Sequence, residues 1–296
     1  MYKFREWIDF SRLDWFQLLQ NPNIIDILEE NLDVMLKMSR YDLDMLSNNV
    51  NAIHILNKNS DLIYWFLLSS NTRAISLLEK NLDKIDWILL SGNSGAIKLL
   101  EQNLDKINYN NLSDNYAAIN LIEQNLNKIS WYYLSGNKNA IHILERNMDK
   151  IDWSMLSSNP NAIHILEKNI DKIDWSMLSS NPNAIHILEK NMDKINWKEL
   201  SSNPNAIHIL EKNKEKICWN NLCKNPNAIH ILEKNKEQIY WNKLCENPAI
   251  FELDYEALKK RCNIYKEELI QKAMHPSRIQ KYLDLGYDAD EIDNYI

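Results

Sequence analysis

Apolar positions along this chain fall on two helical stripes that recur together every 22 residues. Trp65, Trp87, Trp131, Trp153, Trp175, Trp197, Trp219 and Trp241 hold one grid, and Tyr109 fills the missing point. Asparagine holds two more grids in the same period, one through Asn49, Asn71, Asn93 and on to Asn247, the other through Asn59, Asn81, Asn103 and on to Asn235. Upstream, LDWFQLLQNPNIIDILEEN is a further copy around Trp15 and Asn21, and the segment from Leu32 to Leu46 carries six extra residues before the grid resumes.

Each copy predicts two short helices. Asp174 is a good N-cap for WSMLSS, and Ile173 before it is placed to staple onto Leu178. In the second half Asn159 reads as a cap with Pro160 at the first helical position, where a missing N–H costs nothing. Ala162, Ile163, Ile165 and Leu166 then form an apolar stripe, and Asn169 stands where a left-handed residue commonly ends a helix. A leucine-rich repeat has a similar period, but helical spacing, Pro160 after a capping Asn, and the near absence of valine count against strands.

Helices below about 12 residues are marginal alone, so stability has to come from stacking between copies. The expected fold is all-α: an α/α-solenoid of about ten to eleven 22-residue two-helix repeats with N- and C-terminal helical caps. The expected segments are a cap over 1–14, the repeats over 15–247 with the insertion near 32–46, and a helical cap over 248–296. With layers ~8–10 Å apart, the repeats would form a curved rod on the order of 100 Å long. Trp7 and Phe10 are available to cover one open end. At the other, a helix is expected from about Tyr255 through Met274, a second from His275 and Pro276, and fraying over Asp288 to Asp293.

The repeat overrides the two-domain expectation that 296 residues would otherwise raise. A net charge of −7 disfavours a phosphate-tracking surface, because nucleic-acid affinity comes mostly from Lys and Arg. MYKFREWIDF lacks the apolar run of a signal peptide and no stretch approaches ~18 apolar residues, so a soluble, cytoplasmic protein is expected. Cys218, Cys223, Cys245 and Cys262 crowd the last third of the chain, unlike a disulfide scaffold, and two of them occupy the position of Ser157, Ser179 and Ser201. Reduced thiols are expected, and no CxxC pair suggests zinc.

The copies NPNAIHILEKN and KIDWSMLSSN, the opening KFREWID and the ending FELDYEALKKR…ELIQKAMHPSRIQKYLDLG resemble a large paralogous group of repeat proteins in giant DNA viruses of amoebae. The resemblance covers essentially the whole chain and implies a viral protein acting in an infected cell. It carries over no catalytic or binding residue. The insertion after Leu32 and the copy GNSGAIKLLEQN depart from the typical unit and would mark a local change of curvature.

Three grids invite chemistry. His142, His164, His186, His208 and His230 recur in phase, with His54 upstream, but equivalent side chains a helical layer apart cannot share one metal, whose ligands lie about 2 Å away. Ser76, Lys98 and Asn120 hold the same position elsewhere, so a tolerant surface position is the better account. The asparagines fall at helix ends and read as caps rather than ligand contacts. Each Trp is in phase with Ile and Leu and reads as core rather than as a base-stacking platform. No carboxylate pair, phosphate loop or activated nucleophile stands out, so no enzyme, cofactor or metal is expected.

Variation between copies is what remains. The two residues after each Trp change while the frame repeats: Phe66 and Leu67, Ile88 and Leu89, Tyr132 and Tyr133, Ser154 and Met155, Ser176 and Met177, Lys198 and Glu199, Asn220 and Asn221, Asn242 and Lys243. Fixed positions hold a repeat fold and varied ones can form its binding surface, although neutral drift gives the same pattern. The expected function is a non-catalytic scaffold binding a protein partner along this face. A helical-repeat nucleic-acid binder and a self-associating virion component are the alternatives, the former lacking an Arg grid.

Overall fold

The computed structural model describes residues 1–30 and 38–285, and the chain is an all-α solenoid of two-helix copies. It divides into two compact units: Arg5–Ile250, which holds the repeats, and Met1–Phe4 together with Phe251–Ile296.

One interior copy shows how the sequence builds the repeat. Asp174 is extended and its carboxylate accepts the Met177 N–H at 3.0 Å, starting the first helix, Trp175–Ser180. Leu178 and Ser179 turn inward and are fully buried. Asn181 then ends the helix, its Oδ1 accepting the Asn183 N–H at 3.0 Å in a tight turn. The second helix runs Ile185–Glu189, and a 3₁₀ turn, Met192–Lys194, leads to the next capping residue, Asn196.

Two local expectations change. The second helix starts at Ile163 or Ile185, after Ala162 or Ala184, rather than at the proline. The reason is that the asparagine side chain closes its own turn first. Where the turn is itself 3₁₀, at Pro22–Ile24 and Pro226–Ala228, proline does occupy the first helical position. The asparagine that ends the second helix is not left-handed: Asn169 has φ −135° and ψ 49°, and its Nδ2 caps the Ile165 carbonyl at 2.8 Å instead.

The copies are joined by buried polar ladders. Asn159 Nδ2 donates to the carbonyls of Ser135 and Asn137 in the preceding copy, at 3.0 and 3.1 Å, and Asn181 does the same to Ser157 and Asn159 at 3.0 Å. Serine supplies a second tie: Ser157 Oγ donates to Trp153 O at 2.7 Å and accepts the Asp174 N–H of the next copy at 3.0 Å. A core that carries a polar atom at every layer therefore leaves those groups satisfied, which burial requires. The ladder also spans the insertion, since Asn49 Nδ2 reaches Leu19 O at 2.8 Å and Asn21 O at 2.9 Å; residues 32–37 of that insertion, and the expected fraying of Asp288 to Asp293, lie outside the described residues. It passes unchanged through the glycine-containing copy, where a Cβ on Gly95 would meet Thr72 O at 2.5 Å.

The expected open rod is not what the repeat unit builds. Asn21 Nδ2, in the first copy, donates to Cys245 O at 3.1 Å and Asn247 O at 3.2 Å, in the last. These are the same bonds, between the same repeat positions, that join interior neighbours. The unit Arg5–Ile250 is thus a closed solenoid whose eleven ladder asparagines, Asn21 to Asn247, are all buried. Closing a circle with eleven copies takes about 33° per copy, a strong curvature set by the small rotation between neighbours.

The closing copy is assembled from both ends of the chain. Its first half is Trp241–Leu244 and Pro248–Ile250; the 3₁₀ turn that an interior copy would supply next is Phe10–Arg12. Arg12 lies over Trp241 at 4.7 Å, as Lys194 lies over Trp175 at 4.6 Å. Leu13 is buried where isoleucine otherwise stands, and the Asp14 N–H donates to Cys245 Sγ at 3.3 Å in the serine position. Arg5 adds Nε to Ala249 O at 2.7 Å. Of the aromatics expected to cover an open end, Trp7 lies beneath Lys236 at 6.0 Å, and Phe10 packs edge-on against Trp15 at 5.2 Å.

From Trp87–Gly92 to Trp219–Leu222 the first helices of neighbouring copies pack side by side, whereas second helices do not approach as closely and leave clefts of about 150 and 180 Å³ between them. In a closed solenoid the closer-packed layer is the inner one, so the first helices line the inner circumference.

In the other unit, strands β1 (Tyr2–Phe4) and β2 (Phe251–Leu253) pair antiparallel, Phe4 stacking on Phe251 at 4.7 Å and Lys3 meeting Glu252 at 3.5 Å. Asp254 caps the helix Tyr255–Ala273, and Pro276–Asp284 follows, close to the sequence expectation.

Candidate functional site

The varied pairs after each tryptophan sit at the start of the first helices and split by exposure. Phe66 is 47% exposed, Ile88 54%, Tyr132 50% and Tyr133 42%. Ser176, Lys198 and Asn242 are exposed too, while Ser154 and Asn220 are half-buried. The second residue of most pairs is turned toward the neighbouring copy: Leu67, Leu89, Met155, Met177, Glu199, Asn221 and Lys243 are half-buried. Met155 shows why, since its Cε lies 3.0 Å from where a Cβ on Gly136 of the preceding first helix would stand. The face that a partner can reach is therefore mainly the first residue of each pair.

Those first residues divide the inner face. Phe66, Ile88 and Tyr132 with Tyr133 make one stretch mainly apolar, interrupted by exposed Asn110 in the copy between Ile88 and Tyr132, and it is extended by Tyr64 beside Phe66, ring centroids 5.9 Å apart, and by Phe16 stacked on Tyr41 at 4.7 Å. Tyr132 and Tyr133 meet edge-on at 5.1 Å. Farther along, the face is polar: Ser154 Oγ donates to Asp174 at 3.1 Å, and Asn196 Nδ2 donates to Ser176 Oγ at 2.7 Å.

The other grids are frame. The grid tryptophans, expected in the core, are half-buried except for buried Trp241, and a lysine covers a face of several: Lys84 over Trp65, Lys106 over Trp87, Lys150 over Trp131 and Lys172 over Trp153 at 4.6 to 4.8 Å. The histidines lie on the second helices, each against a glutamate of the preceding copy. His164 Nε2 is 2.9 Å from Glu145 and His230 3.0 Å from Glu211, and this hydrogen bond is the main reason Glu211 is held below the usual carboxylate range. Sequence reasoning missed the pairing, although a Glu stands 19 residues before each histidine from His142 to His230, and 25 before His54, across the insertion. Among the described residues no three His, Cys, Asp or Glu side chains gather as metal ligands would.

No cysteine is paired: Cys262 is exposed, Cys218 half-buried, and Cys223 and Cys245 buried. Burial pushes the Cys223 thiol up and takes Cys245 to about 11, which makes both poor nucleophiles. No described helix is long and apolar enough to cross a membrane. Comparison with protein-family models, curated proteins and solved structures gives no match.

Proposed function

We propose that the repeat unit is a non-catalytic scaffold that binds a protein partner along the exposed ends of its first helices, and that it acts in the cytoplasm of an infected cell as the family resemblance suggests. One observation carries this reading: large apolar side chains stand 42 to 54% exposed at Phe66, Ile88, Tyr132 and Tyr133, on a frame whose copies are joined by buried asparagine and serine ladders. Exposed apolar groups gathered on a rigid surface mark interaction sites, whereas scattered ones do not. The composition of this face favours protein over nucleic acid, since its repeated lysines lie over tryptophans, Lys224 is paired with Glu246 at 2.8 Å, and Lys198 and Lys243 add few further basic side chains.

A photo-crosslinking residue at Tyr132 tests the reading in infected-cell extract. Crosslinking to a discrete protein, lost on Phe66→Ser and Ile88→Ser, is expected; crosslinking only to nucleic acid, or none at either Tyr132 or Ile88, contradicts it.

A further inference from the structure

The closed repeat unit fixes more about the partner than an open rod would. Eleven first helices at ~8–10 Å spacing place their axes roughly 14–18 Å from the centre, and removing a helix half-width of about 5–6 Å leaves an opening about 16–25 Å across. That width takes one α-helix, about 10–12 Å in diameter with its side chains, and excludes a folded domain. The first-helix face also has no unpaired strand edge, because its backbone groups are committed to helices and to the asparagine ladder. A peptide there cannot be recognised by strand addition and has to be read through its side chains, the helix-in-groove mode.

Polarity completes the description. The apolar stretch through Phe66, Ile88, Tyr132 and Tyr133 faces only part of the circle, and the remainder presents Ser154, Ser176, Lys198 and Asn242. A helix apolar on one side fits such a divided face. Two carboxylates lie within the apolar stretch: Asp86, whose Oδ1 caps Leu89 N at 2.8 Å, and exposed Asp114 at the end of the helix Tyr109–Asp114. Neither forms an ion pair with a Lys or Arg among the described residues. Their charge is available to a cationic ligand.

Building on the scaffold reading above, we infer that the inner apolar stretch between Phe66 and Tyr133 docks a basic amphipathic helix of a partner protein, its apolar side on Phe66, Ile88 and Tyr132 and its Lys or Arg side chains toward Asp86 and Asp114.

The direct test is fluorescence anisotropy on the full chain with a short labelled peptide of leucine and lysine whose leucines share one helical face. A shuffled peptide of the same composition and a leucine–glutamate counterpart serve as probes of shape and charge. The inference expects the first to bind and the other two to bind roughly tenfold or more weakly. Phe66→Ser with Tyr132→Ser should abolish binding, and Asp86→Asn with Asp114→Asn should weaken it and reduce its salt dependence. Asn preserves the cap at 86, as Asn108 and Asn196 do in other copies, so circular dichroism should be unchanged. Equal binding of the shuffled peptide, or binding untouched by either double variant, overturns the inference. If the peptide fails while the Tyr132 photo-crosslink still captures a protein, the scaffold reading stands and the helical, basic character of the partner is wrong.

Discussion

Two copies of the same repeat can be set side by side. The interior copy from Asp174 to Ile195 is continuous in sequence and ties to its neighbours through Asn181, Ser179 and the Lys194–Trp175 contact. The closing copy makes the corresponding ties, Asn21 to Cys245 and Asn247, Asp14 to Cys245, and Arg12 over Trp241, from pieces more than two hundred residues apart. The bonds are alike and the connectivity is not. An interior tie is between segments already tethered by a short chain, whereas the closing tie must overcome the closure entropy of nearly the whole chain, a cost that grows slowly with length. The closing copy is therefore the place where the solenoid should open first, and its strength decides whether the unit is a ring or an arc.

Deleting residues 1–14 should open the closing copy and leave the interior copies intact. This removes Arg5, Arg12, Leu13 and Asp14 from the closing copy. Loss of an inter-copy interface should cost several kcal/mol and increase the radius of gyration in small-angle scattering, with helix content nearly kept. An open rod losing a terminal segment would show neither effect.

Single ladder residues come next. Asn159→Ala leaves the buried carbonyls of Ser135 and Asn137 and the Asn161 N–H without their partners, and should cost ~3 kcal/mol in chemical denaturation. Asn21→Ala should cost less, because the seam it serves can open to water, whereas an interior layer cannot. Equal losses would mean that the seam is as tightly coupled as the interior.

A smaller effect sharpens the chemistry of the seam. Cys245 Sγ accepts the Asp14 N–H at 3.3 Å and donates to Trp241 O at 3.2 Å, where Ser157 makes its two bonds at 3.0 and 2.7 Å. Cys245→Ser should stabilise the fold by about 0.5–1 kcal/mol. The thiol also predicts a pH dependence. Its folded pKa, raised by burial to about 11, lies above the unfolded value near 9, so the folded state holds the proton more tightly. Its contribution is intact below about pH 9 and is lost as pH rises toward 11, and melting curves of Cys245→Ser should lack that alkaline loss.

The smallest effect is on the outer layer. Glu211 is held low chiefly by the His230 hydrogen bond, so its contribution is present above the ordinary carboxylate range and fades as pH falls through the depressed value. In His230→Ala, a nuclear magnetic resonance titration should find Glu211 back at an ordinary carboxylate pKa. No change in Glu211 would remove the pairing as the cause.

Much of the frame was legible before any coordinates. Trp175 and Leu178 in phase, Asp174 before them, and Asn181 after them specify the first helix and its turn, because local spacing and capping are local physics. Ser179 was legible only as a repeated polar letter, since its role lies in the Asn196 N–H of the next copy. The pairing of His186 with Glu167 was missed for the same reason. Closure was barely legible. It depends on a small rotation summed over every copy, and the only sequence hint is that FSRLDW at the N-terminus reproduces, with Arg12, Leu13 and Asp14, the Lys–Ile–Asp that precedes interior tryptophans. The proposed face was half legible, because variation named the pairs but packing decides that Tyr132 is exposed and Met155 is not.

The central claim, that the repeat unit closes on itself, is tested most directly by pulsed electron double resonance between spin labels at Gln20 and Glu246, with Ser180 and Ser202 as the interior reference pair and Cys218 and Cys262 replaced by serine. Both pairs occupy the same position in adjacent copies if the solenoid is closed. A closed unit gives matching distributions within about 20 Å, a helical layer plus the label tethers. A Gln20–Glu246 distance on the order of the open rod's ~100 Å, with the reference pair still short, would contradict it.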